Sequence, residues 1–181
     1  MNPVSQETHE TSYHLEGVAF GLADGLIMSL GLIIGVAEVT TDPGFVILAG
    51  IVGGFANAFG NSIGFFMSQS AERGLQIQDS EERNAQTKIH SKQEIYMNSF
   101  LAFACSIGIS LLLLFPFLLV TLSLAVMFAF AIGILVAFTL GSYIGKMCRE
   151  HRLISGFKYA AVAVTGAVVS HLVADLLSIL L

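Results

Sequence analysis

The sequence predicts an all-α, polytopic membrane protein with five transmembrane helices. Three observations carry that prediction. Of 181 residues, 55% are hydrophobic and only 12% are charged, with mean hydropathy +0.79, whereas a soluble domain covers its surface with about twice that share of charge. From Ile95 to Gly145, a run of 51 residues, there is no charged side chain and no histidine. Such a run accommodates two bilayer crossings of about 20 residues each. The eight Lys and Arg residues cluster in and beside just two polar stretches.

The elements follow in order. Residues 1–15 form a polar, acidic lead without Lys or Arg. A secretory signal peptide needs a basic start and then an apolar core, so this stretch reads as a short disordered lead that turns helical near Tyr13. His9 and His14 within it carry no spacing signal. Residues 16–181 form one transmembrane domain. Its first span covers 17–37 and ends at the turn Thr40, Thr41, Asp42, Pro43, Gly44. The second covers 45–70. A cytoplasmic insert, 71–94, follows; its mixed charge reads as one or two exposed helices. The third span covers 95–114. Pro116 marks a tight hairpin, because proline cannot donate to the helix ladder. The fourth span covers 119–144 and the fifth 157–177, separated by the loop KMCREHRLISG.

Orientation follows from the basic residues. Arg73, Arg83, Lys88 and Lys92 lie between spans two and three; Lys146, Arg149, Arg152 and Lys158 surround the loop between spans four and five. Both stretches fall on one side of a five-span chain. The positive-inside rule places that side in the cytoplasm. The N-terminus is then cytoplasmic, and the C-terminus outside or lumenal. With basic residues so few and so placed, nucleic-acid binding is not supported. Cys105 and Cys148 are the only cysteines and suggest neither a disulfide framework nor a zinc motif.

Inside this apolar chain a few polar groups stand out. Asp24 lies eight residues past Glu16, about 12 Å along a helix. A carboxylate at that depth costs several kcal/mol and must face protein, water or an ion. Asn61 lies eleven residues before Glu72, about 16 Å from the same side, and Asn57 shares its face. Asp24, Asn61, Asn57 and Ser62 can meet at one depth, and such oxygen donors suit hard or borderline divalent cations. Two readings stay open: a cation and proton site, or plain hydrogen bonding between helices. His171 and Asp175 share a face of the fifth span toward the outer side. They form either a proton relay or a polar pair at the interface. Glu72, Glu81 and Glu82, with Glu16 at the mouth of span one, are candidate cytoplasmic metal ligands or else a solvated face. Asp79, His90 and Glu94 accompany them. Glycines four apart (Gly17, Gly21 and Gly25; Gly31/Gly35; Gly50/Gly54; Gly60/Gly64; Gly141/Gly145) allow close helix approach.

FGLADGLIMSLGLIIGVA resembles the first span of the vacuolar iron transporter family, which reads FGxxDGLxxxxxLxxGxA. ILAGIVGGFANAFGNSIGFFMSQSAER resembles its second span, FLAFACSIGISLLLLFPFLL its third with the proline hairpin, and LGSYIGK with SGFKYAAVAVTGAVVSHL its last two. The resemblance covers residues 15–181. It implies a five-helix subunit that forms a homodimer and exports Fe²⁺, often Mn²⁺, from the cytosol in exchange for protons. It further implies a pathway at the dimer interface and a metal and proton site at Asp24. Three departures matter. Asn61 stands where the family often has methionine, and an amide in place of a thioether favours harder ions, so manganese rivals iron. The insert 71–94 is short against the family's glutamate-rich metal-binding domain. His171 and Asp175 are not part of the family pattern.

The leading expectation is a divalent-metal exporter of a prokaryotic cell membrane, with metal ions and protons as its cargo, lipid around it, no resident cofactor and no enzyme activity. The rival is a non-transporting membrane metal sensor or scaffold. A membrane enzyme built on His171 and Asp175 lacks a nucleophile, a cofactor motif or a carboxylate pair.

Overall fold

The computed structural model describes residues 3–83 and 89–180, with side chains described for 15–81, 89–177 and Ile179. Among the described residues it contains five α-helices and no strand. These are α1 (Pro3–Val39), α2 (Pro43–Arg83), α3 (Lys92–Leu114), α4 (Leu122–Met147) and α5 (Arg152–Leu180). All five are long and apolar enough to cross a membrane. The chain is therefore a multi-pass membrane protein of all-α class.

The punctuation works as its chemistry dictates. Asp42 Oδ1 accepts from the Gly44 amide at 2.8 Å, capping α2 with proline at its first position. Ser91 and Glu94 form a reciprocal capping box at the start of α3. Between α3 and α4, Phe115–Leu118 tighten into a 3₁₀ turn containing Pro116, whose carbonyl accepts from Leu119 and Val120.

Two helices run further than the sequence suggests. α1 begins at Pro3, so the polar lead is helical rather than disordered; proline at the first position costs no helical hydrogen bond. α2 does not stop at Ser70 but continues through Arg83, 41 residues in all. The first half of the insert is thus an extension of span two. Gly74 is the sole helix-breaking residue between Ser70 and Arg83, and a Gln76–Glu72 hydrogen bond supports the exposed turn.

α1 is the centre of the bundle and touches all four other helices. Leu26, Leu30 and Ile33 are buried on it against Ile109 and Leu113 of α3, Ala129 of α4 and Ala163 of α5. Lipid tails are as apolar as these side chains, so close van der Waals packing, rather than burial from water, holds the helices together. Small residues make that packing possible. A Cβ on Gly17 would collide with the Asn98 carbonyl, one on Gly21 with the Ala102 carbonyl, and one on Gly25 with Ser106 Cα at 2.8 Å. Three glycines of α1 thus meet three α3 positions, also four apart, along one seam. Gly31 faces Ser170 of α5, Gly54 faces Ser110 of α3, and Gly141 and Gly145 receive Ser155 of α5.

α2 packs on α1, α3 and the proline turn. Its other face is uncovered: Leu48, Val52, Phe55, Phe59, Ile63 and Met67 are exposed. On that face a Cβ at Gly60 or Gly64 would meet nothing within 4 Å.

Candidate functional site

The α1–α3 seam sets the site. Because Gly25 lets α3 approach closely, fully buried Ser106 stands beside the turn of α1 that carries Asp24. α2 then brings two amides to the same carboxylate. Asn57 Nδ2 donates to Asp24 Oδ2 at 3.0 Å, and Asn61 Nδ2 donates to the same oxygen at 2.7 Å. The two asparagines lie four apart on α2, one turn, so both reach one point. Each amide also lies 3.4 Å from Ser106 Oγ. Asp24 Oδ1 accepts no hydrogen bond among the described residues. The carboxylate is half-buried. It is held on one oxygen by donors from α2.

Polar groups continue along the same seam in both directions. Toward the side of the basic stretches, Ser62 Oγ donates to the Ser99 carbonyl at 2.9 Å, and Gln69 Nε2 donates to Glu16 at 2.7 Å. In the other direction Ser29 and Ser110 hydroxyls share a hydrogen bond of 2.6 Å, and Ser110 donates to the Ser106 carbonyl. Glu16, Asp24 and Ser29 of α1 thus mark three levels of one polar column through an otherwise apolar bundle.

The remaining candidates lie elsewhere. Glu72 Oε1 is 3.7 Å from His90 Nε2, and Glu94 Oε2 is 3.8 Å from His90 Nδ1. Glu81 is exposed near the end of α2, and Glu82 lies outside the residues whose side chains are described. Among the described residues no three His, Cys, Asp or Glu side chains close into one metal-holding group. His171 is on α5, where its Nδ1 lies 3.3 Å from Glu38 Oε2 at the end of α1. Asp175 is exposed one turn further along α5.

Sequence reasoning missed Ser106, Gln69, Glu38 and the Ser29–Ser110 pair. Ser106 had a legible signal. Asn98, Ala102 and Ser106 recur every four residues, matching the spacing of Gly17, Gly21 and Gly25. Glu38 and Gln69 had none, because only tertiary contact shows their partners.

Five apolar spans around a half-buried carboxylate, met by amides from a second span, define a class: multi-pass membrane proteins with an acidic group inside the helical bundle. Residues 15–98 match the model of the VIT family. The chain is also 30% identical over 162 residues to an uncharacterized protein of Methanocaldococcus jannaschii, an alignment covering 84% of each chain. The chain belongs to the VIT family. That family is one of membrane metal-ion transporters rather than enzymes.

Proposed function

We propose that this protein exports a divalent metal cation, Fe²⁺ or Mn²⁺, from the cytosol in exchange for protons, by alternating access in a homodimer of a prokaryotic cell membrane. The observation that carries the reading is the convergence of Asn57 and Asn61 on one oxygen of Asp24. Two amide donors stabilise the ionised carboxylate in the absence of cargo. When a cation arrives at Oδ1, a half-turn of each amide replaces its donor by its carbonyl oxygen. The site then offers a carboxylate and amide oxygens, a set that favours harder divalent ions over soft ones. A proton on Asp24 removes the negative charge and weakens the hold on the ion, which couples the two fluxes.

Charge supports the dimer. One Asp24 offsets half of a divalent charge; two copies related by a two-fold axis offset all of it. The exposed small-residue stripe of α2, apart from its aromatic edge at Phe59, supplies a surface for the second copy. Ala56, Gly60, Gly64 and Ser68 are exposed at four-residue spacing, beside the face that carries Asn57 and Asn61. Such stripes let two helices approach closely.

Glu16, Glu72, Glu81 and Glu82 collect cations at the cytoplasmic mouth in this reading, and Glu16 stands at the head of the polar column. His171 and Asp175 pass protons at the far side. The test is flux in proteoliposomes with Fe²⁺, Mn²⁺, Co²⁺ and Zn²⁺ in turn across a set pH gradient. Metal movement with opposite proton movement is the expected result. Metal binding without flux, from inserted and folded protein, overturns it in favour of a sensor or scaffold.

A further inference from the structure

Outside the polar column, two cavities meet on the lipid-facing side between α2 and α3. The larger, about 520 Å³, is walled by aromatic side chains, among them Phe59, Phe66, Phe100 and Phe103. The smaller, about 240 Å³, is bordered by Ser70, Arg73 and Lys92. Phe66 and Tyr96 border both, and their rings pack with centroids 5.2 Å apart. One groove therefore has an apolar length and a cationic end.

The cationic end sits at headgroup depth. Arg73 lies thirty residues past Pro43 on a continuous helix, about 45 Å along its axis and so about the full thickness of a bilayer with its headgroups. Lys92 opens α3 three residues before the charge-free run begins at Ile95. Tyr96, 64% exposed, is of the residue type that anchors helices at the interface. Among the described residues no carboxylate lies within ion-pair distance of Arg73 or Lys92, while Glu72 and Glu94 lie 3.7 and 3.8 Å from His90. The Nε of Arg73 is buried and donates to no group among the described residues. A buried guanidinium donor needs an acceptor, and the described lining of the groove holds no carboxylate.

We propose that this groove binds one anionic glycerophospholipid, its phosphate between Arg73, Lys92 and Ser70 and one acyl chain along the aromatic wall. Guanidinium and ammonium donors match phosphate oxygens, and an acyl chain fills a groove that water cannot. The site rests on the membrane fold alone and stands whether or not the protein moves metal.

Native mass spectrometry of the full chain in detergent tests this, with phosphatidylglycerol and phosphatidylcholine of identical acyl chains as probes. The wild type is expected to retain phosphatidylglycerol preferentially. Each basic residue near a membrane surface contributes about a five-fold preference, so Lys92→Gln is expected to lose about five-fold and Arg73→Gln/Lys92→Gln about thirty-fold. Arg149→Gln/Arg152→Gln, at the other basic stretch, is expected to keep the preference. Lys92 is exposed, so its single variant reads out even where the double variant does not fold. Equal retention of both lipids by the wild type overturns the proposal. So does a preference undiminished in Lys92→Gln, or one lost equally in the Arg149/Arg152 variant. Displacement of the lipid by millimolar inorganic phosphate also overturns it, since the groove would then be a simple anion site.

Discussion

Asn61 Nδ2 stands 2.7 Å from Asp24 Oδ2, the shorter of two amide contacts made to that one oxygen. Asp24 is 37 residues away in sequence and belongs to another helix. The pair joins α1 to α2 inside an apolar bundle, where a charge is costly. It gives the carboxylate a hydrogen-bond partner that carries no charge of its own, so an intramembrane acid is met by a neutral donor.

Asp24→Asn keeps the size and much of the hydrogen bonding of the side chain but removes its charge. Metal–proton exchange is expected to fall at least ten-fold, in line with the about 1.5–3 kcal/mol carried by hydrogen bonds to charged groups. Flux in proteoliposomes, beside a size-exclusion profile of the same variant, checks it. Full transport would remove Asp24 from the mechanism.

Ser106→Ala deletes the hydroxyl that both amides approach at 3.4 Å. Interhelical side-chain hydrogen bonds in membranes average about 0.6 kcal/mol, so the fold is expected to survive with a small drop in thermal midpoint. The amides lose a neighbour that orients them, and the metal KM is expected to rise a few-fold. An unchanged KM would make Ser106 a packing residue only.

Gly21 and Gly60 should respond in opposite ways. A Cβ at Gly21 runs into the Ala102 carbonyl, while one at Gly60 meets nothing within 4 Å. Gly21→Val is therefore expected to destabilise the subunit by about 1–3 kcal/mol through overpacking, read as loss of folded protein in detergent. Gly60→Leu is expected to leave the subunit folded and shift a dimer to a monomer in light scattering. A Gly60→Leu variant that stays dimeric would move the seam away from α2.

His171 and Glu38 are both substantially exposed and 3.3 Å apart. An exposed pair contributes about 0–1 kcal/mol, so Glu38→Gln and His171→Gln are each expected to shift the thermal midpoint only slightly. If His171 passes protons, its variant changes how flux depends on the pH of the far side. Matching pH profiles for wild type and His171→Gln would leave the pair an interfacial contact.

Composition and periodicity carry a membrane fold a long way. The bilayer permits little besides a helix of about 20 apolar residues, so five spans and the Pro116 hairpin were readable from one chain. Counting residues from Glu16 and Glu72 also put Asp24, Asn57 and Asn61 at one depth, because rise per residue converts position into height. Position around a helix and choice of neighbour are different. Nothing along the chain pairs Glu38 with His171, or Gln69 with Glu16, since both contacts depend on which helices lie side by side. Nor does the polar character of residues 71–83 reveal that α2 runs unbroken through them, because an exposed helix and a continued one share the same local pattern. The rotation of the helices rests on close backbone approaches, the α1–α3 seam at Gly17, Gly21 and Gly25 and the α1–α5 contact of Gly31 with Ser170, because two backbones can touch only where side chains are absent.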